Sequence, residues 1–299
     1  MKVLRKDQLQ IVLQIVVTVL LLRFGLFKQI ASEIALTDVQ FLLYLLSIGF
    51  IASGGLILYG IIIQEEQPWR KIHKNIDKAY YLYLGVNILG IGISFFVSSA
   101  IDKTAYFGFF MGVAAIIYLY TTQWRKIILL NNIIFSLLIT FASFIEIITD
   151  LMPTLNPLQT SAENTNNLLF EITTRFGILL FFLYFIKTIL LDLKFMNLDL
   201  RNNKKTLATL HGRKKGSVRT TLLGLIPLVL LIAFALYYYP QLPLLSIYIA
   251  IAIILPYLFL LVKLWNAKTA KDYSLTNNIL TIIIWLTIFS IVVLLFNLK

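Results

Sequence analysis

Cysteine is absent from all 299 residues, and histidine occurs only twice. The first absence excludes disulfides, thiolate metal sites and cysteine nucleophiles. The second leaves His73 and His211 far apart in basic segments, which argues against a histidine-based zinc centre. Charge is also scarce: 13% of residues are charged against 59% hydrophobic, with a mean hydropathy of +0.86. Soluble globular domains carry about 25% charged residues, so this composition points to a chain immersed in lipid. Acidic residues are the scarcer kind, 14 against 26 basic, for a formal net charge of +12. Such an excess suits nucleic acid only where it forms a soluble face. Here it falls in short segments between apolar runs. It therefore speaks for membrane orientation and for anionic lipid or an anionic substrate, and no nucleic-acid partner is expected.

Long apolar runs are what the chain has in abundance. Runs able to cross about 30 Å of hydrocarbon, roughly 20 residues each, cover residues 9–31, 40–64, 79–99, 104–122, 127–149, 167–193, 218–239, 243–264 and 275–297. Lipid leaves no backbone group unpaired, and runs this long satisfy that condition as helices. The expectation is an all-α polytopic membrane protein, one domain over residues 1–299, with nine transmembrane helices. The basic start followed by an apolar run also resembles a signal peptide. No small-x-small cleavage pattern follows it, and Arg23 and Lys28 stand in its place, so residues 9–31 are read as an uncleaved first span.

Basic residues test the orientation. With the N-terminus inside, 20 of them fall in inner segments or span ends, and only Lys28, Lys103 and Lys299 in outer ones; Arg23, Arg175 and Lys187 lie within spans. The positive-inside rule then orients the chain with the N-terminus and basic loops cytoplasmic and the C-terminus outside, and the expected location is the inner (cytoplasmic) membrane. The largest basic segment, residues 194–219, would form an inner loop capping any site there. Pro227 and Pro256 predict kinks in the seventh and eighth helices. Tyr237, Tyr238 and Tyr239 read as an aromatic belt at the outer interface. Gly54, Gly55, Gly85, Gly90 and Gly92 suit close approach of the second and third helices.

The residues that can carry chemistry gather at the inner face. Asp192 and Asp199 are seven apart, which on one helix puts them on a common face about 10 Å apart along the axis. Each can hold a Mg²⁺ through one oxygen if phosphate oxygens complete the shell. Arg201, Lys204, Lys205 and Arg213 surround them with charge suited to a diphosphate. The plainer alternative is that Asp192 pairs with Lys187 or Lys194 and the loop binds anionic lipid head groups. Within the apolar stretch, Arg175 can reach Glu171 four residues back. Lys187 either snorkels inward or points its charge into a cavity, since a mid-bilayer charge costs at least about 2.5 kcal/mol. Asn87 and Asn132 can line a polar cavity or join helices. Glu65 and Glu66, followed by Arg70 and Lys71, face the same side.

These residues carry a resemblance. NNKKTLATLHGRKKG, residues 202–216 after Asp199, resembles the second motif of the UbiA-type intramembrane prenyltransferase superfamily, where acidic residues precede a Lys-Thr-Leu and a Gly-Arg element. Residues 21–60, 67–90 and 119–132 are also similar to that family. The resemblance implies a UbiA-like bundle with a central cavity opening to the inner face. It also implies transfer of a prenyl group from an isoprenoid diphosphate to a lipophilic acceptor. In that chemistry Mg²⁺ ions held by two Asp-rich motifs offset the charge on the leaving diphosphate, and hydrocarbon walls keep water from the allylic cation. It makes Asp192 and Asp199 the catalytic metal ligands, with Glu65 and Glu66 as further candidates. Arg70, Lys71, Lys187, Arg201, Lys204, Lys205 and Arg213 become diphosphate-binding, and Asn87 and Asn132 line the cavity.

The sequence departs from that pattern. Tyr59, Gly60, Ile63 and Gln67 stand where the first motif has its Asn and three Asp, and no aspartate occurs between Asp38 and Asp77. Phe195 replaces a third acidic position of the second motif, and Lys187, Thr188 and Leu191 replace a typical Arg, Glu and Lys. Losing one carboxylate cluster removes at least one Mg²⁺ position. Two functions therefore stay open. One is an active divergent transferase; the other is an inactive homologue that binds an isoprenoid or lipid, or serves as a membrane subunit of a complex. A transporter would show pseudosymmetric halves, and Pro227 and Pro256 have no counterparts in the first half.

Overall fold

The computed structural model describes residues 6–66, 72–155, 164–201 and 204–298. Among them, nine helices are long and apolar enough to cross a membrane: α1 (Leu9–Ile30), α2 (Asp38–Glu66), α3 (Ile76–Ala100), α4 (Thr104–Thr122), α5 (Leu130–Thr154), α6 (Thr165–Arg201), α7 (Leu207–Tyr238), α8 (Pro243–Trp265) and α9 (Ala270–Leu298). No strand occurs among the described residues. The chain is an integral polytopic membrane protein of all-α class.

The expected loop over 194–219 needs correction. α6 continues to Arg201, 37 residues or about 55 Å of helix, and α7 begins at Leu207. Hydropathy measures the thickness of hydrocarbon, whereas a helix ends where its hydrogen bonds end. The restart has a local cause: the Thr206 hydroxyl accepts from the Thr209 N–H, and the Thr209 hydroxyl accepts from the Thr206 N–H, a reciprocal capping box. Five residues into α7 the backbone breaks at Gly212, with φ 74° and ψ 167°, a conformation essentially restricted to glycine.

The described residues form two compact units. The first is drawn from Met1–Glu33, Ile128–Ile147 and Leu155–Lys299. Its centre is α6, 78% buried over its most hydrophobic window, as expected of a helix whose apolar residues are not confined to one side. It packs against α5, α7 and α9. Both expected proline interruptions are present. α7 breaks at Gly224, three residues before Pro227, and α8 passes through a π-helical turn, Ile249–Ile254, just before Pro256. A proline removes one backbone bond and clashes with the carbonyl four residues earlier. At Gly224 the carbonyl accepts from the Tyr257 hydroxyl of α8 at 3.0 Å. A Cβ at Gly224 would lie 2.6 Å from Leu261 Cδ2, so these two helices meet where a side chain is missing. The tyrosine belt is corrected at one position: Tyr237 and Tyr239 are exposed, but Tyr238 is buried and reaches Glu171 at 3.4 Å.

The second unit is Ile34–Ile127 with Ile148–Thr154. In it α2 lies along α3. The Ser47 hydroxyl donates to the Gly90 carbonyl at 2.7 Å, and a Cβ at Gly90 would meet Ile51 at 2.8 Å. Gly54 faces Asn87 of α3, but Gly55 faces Ile117 of α4, and Gly85 and Gly92 face open space, so the expected glycine contact holds at two of the five positions. The turn between α3 and α4 is as short as the sequence suggests, with Asp102 at φ 55°.

Candidate functional site

Asp192 sits on the buried face of α6 near its basic end, with 6% of its surface exposed. Its Oδ2 accepts from Asn132 Nδ2 of α5 at 2.9 Å, and its Oδ1 accepts from Lys204 Nζ at 3.0 Å. Neither Lys187 nor Lys194 is the partner the sequence suggested. The chain turns between α6 and α7 and brings back a lysine twelve positions away, which i±4 reasoning along one helix does not reach. Lys204 is held on both sides: its N–H donates to the Asp199 carbonyl at 2.9 Å, and its own carbonyl accepts from the Thr209 hydroxyl at 3.1 Å.

Asp199 is buried on the same helix. Arg201 and Lys205 are exposed beside it. Arg213 Nη2 donates to Asn197 Oδ1 at 3.2 Å, while its buried Nε has no hydrogen-bond partner. The basic end of the first unit thus gathers Asp192, Asp199, Asn132, Lys204, Lys205 and Arg213. Arg70 and Lys71 lie outside the described residues.

Lys187 belongs to a different cluster, deeper along α6. It is fully buried, and its Nζ donates to Thr281 Oγ1 of α9 at 2.7 Å. About two turns nearer the basic end, Lys194 Nζ contacts both oxygens of Asp7 at 3.2 and 3.0 Å, and Asn277 Nδ2 donates to Asp7 Oδ1 at 2.9 Å. Gln14 and Tyr184 extend this polar seam between α1, α6 and α9. Reading the sequence for acid and base clusters missed it. A signal was present, since Asp7, Gln14 and Thr18 recur at i, i+7 and i+11 and form one polar stripe on α1, whose helix begins before the span, at Lys6.

In the second unit, Glu66 is clamped by Arg125 and by Lys126, the latter at 2.7 Å, and Glu65 accepts from the Tyr80 hydroxyl at 3.1 Å. Asn87 is half-buried and donates to Tyr83 O of its own helix at 2.8 Å. Gly60, one of the positions where the resemblance would expect an acidic residue, is covered by an imidazole. A Cβ there would lie 2.5 Å from His73 Nε2.

These contacts test whether the site suits Mg²⁺. The ion takes a near-octahedral set of oxygens and gives up its water reluctantly. Both Asp192 oxygens already receive protein donors, Glu66 is held by two cations, and among the described residues no group of three or more His, Asp or Glu could hold a metal ion. The donor set does not fit. A cavity of about 10 Å³, room for one water, lies at the other end of the first unit, lined by apolar residues such as Leu22, Phe176 and Leu294 with Thr173 and Ser290.

No protein-family model matches the chain, and no curated protein matches it. One solved structure does, from work on a digeranylgeranylglyceryl phosphate synthase in membranes, with a TM-score of 0.64 over 96% of this chain and 93% of that one. The two chains share a fold. At 15% sequence identity the likeness assigns no function to individual residues, so the chemistry rests on the contacts above.

Proposed function

We propose that the chain is a divergent protein of the UbiA prenyltransferase type. In this reading it binds an isoprenoid diphosphate, or a lipid with a comparable anionic head, at the basic end of α6 and α7. In this reading that end faces the cytoplasm. Ordinary Mg²⁺-dependent prenyl transfer is not part of this reading. The observation that carries it is Asp192: the acidic residue best placed for a metal has one oxygen on an amide and the other on an ammonium. Supporting it are the fold shared with a prenyl-lipid synthase along nearly the whole chain and the basic residues Lys204, Lys205 and Arg213, whose charges and donor forks match phosphate oxygens.

The second reading, an active transferase, draws support from the same shared fold and from the presence of both Asp192 and Asp199. Purified protein given geranylgeranyl diphosphate and Mg²⁺ separates the two. Saturable binding without release of diphosphate is expected. A robust Mg²⁺-dependent release, lost in Asp199→Asn, would establish the transferase instead.

A further inference from the structure

The misfit with Mg²⁺ has a specific form. A divalent ion on Asp192 would have to displace an ammonium that is already in place, so its binding is an exchange of one cation for another. That ammonium is not on a loose surface chain: the backbone of Lys204 is bonded to Asp199 O before it and to Thr209 after it, inside a capped turn. Asn132, whose own carbonyl accepts from Ser136, fixes the other carboxylate oxygen. Residues 192–219 hold eight basic side chains against two aspartates, a field that attracts anions and repels a divalent cation. In the second unit, Arg125 and Lys126 likewise clamp Glu66.

From this geometry we infer that Lys204 takes the role of a metal ion at the basic end of α6: it is the cation that Asp192 presents to an anionic ligand, so diphosphate binding needs no Mg²⁺ and is weakened by it. The inference rests on the ligand class proposed above. Mg²⁺ added to such a site finds both Asp192 oxygens already taken by Asn132 and Lys204. It instead pairs with the diphosphate in solution and lowers the charge that the lysines and arginines recognise.

The test is calorimetric titration of the full chain in nanodiscs with geranylgeranyl diphosphate, once in EDTA and once in excess Mg²⁺. Inorganic diphosphate runs alongside to separate recognition of the head from partition of the lipid chain. Binding in EDTA is expected, weakened about 3-fold or more by Mg²⁺ through lost charge attraction. In Lys204→Gln, binding in EDTA should fall about 10-fold, in line with the loss of one charge-assisted bond. The sign of the Mg²⁺ effect should reverse there, because Asp192 is released. Lys204→Arg should retain the wild-type sign. Binding of the wild type that requires Mg²⁺ would overturn the inference while leaving the ligand reading intact. No binding of either probe in either buffer would overturn both.

Discussion

The Lys187 ammonium donates to the Thr281 hydroxyl at 2.7 Å across 94 residues of sequence, and both side chains are buried in the first unit. A lysine so enclosed is tolerated because each neighbour is itself engaged: Thr281 donates onward to Asn277 O at 2.7 Å, and Asn277 in turn donates to Asp7. Replacing Lys187 by alanine removes the cation and leaves a cavity, and should destabilise the protein by about 2–5 kcal/mol. Lys187→Met keeps the volume without the charge and should cost far less, since replacing buried charge with packed hydrocarbon is often neutral or stabilising. Thermal unfolding of both variants in detergent checks the contrast.

Asp7 is the acceptor on which α1, α6 and α9 converge. Asp7→Ala leaves the Lys194 ammonium and the Asn277 amide facing a missing carboxylate, and should cost about 3 kcal/mol. In the double variant Asp7→Ala/Lys194→Met most of that loss should return. A double-mutant cycle on unfolding midpoints measures it.

Two glycines predict opposite outcomes. At Gly224 a new Cβ meets Leu261 Cδ2 at 2.6 Å and the Thr221 carbonyl at 3.1 Å, so Gly224→Ala should destabilise by about 1–3 kcal/mol. At Gly85 nothing lies within 4 Å, and alanine should stabilise by roughly 0.5–1 kcal/mol through a less disordered unfolded chain. Unfolding of the two single variants under the same conditions decides this.

Gly212 lies in a backbone region closed to side chains, although the space around it is open. Gly212→Ala should therefore cost about 1–3 kcal/mol from backbone strain alone. Protease accessibility of the Leu207–Leu223 segment should rise, and limited proteolysis reads it directly.

The number of spans was legible because each apolar run is about as long as the bilayer requires or longer, from 19 residues at Thr104–Thr122 upward. Helix ends were not legible in the same way: α6 runs eight residues beyond the expected 193, since Lys194 and Asp199 find partners inside the protein and need not leave the helix. Tyr238 could not be told from Tyr237 and Tyr239 by composition, because only the helical phase sends the middle ring inward. The partner of Glu171 was legible, since Arg175 is one turn away and bonds it at 2.7 Å. The partners of Asp192, Lys187 and Asp7 were not, because each comes from another helix or, for Lys204, from the turn after α6. Distance along the chain thus set what could be read at the site.

The bond from Tyr257 to Gly224 joins α7 and α8 at the level where each helix is already interrupted. Bending of either is therefore concentrated at a shared fulcrum, with the regular segments on both sides acting as stiff levers. The part of α7 between the Gly212 break and Gly224, residues 213–223, is one of those levers, so a tilt that moves Arg213 is mechanically tied to a tilt of α8.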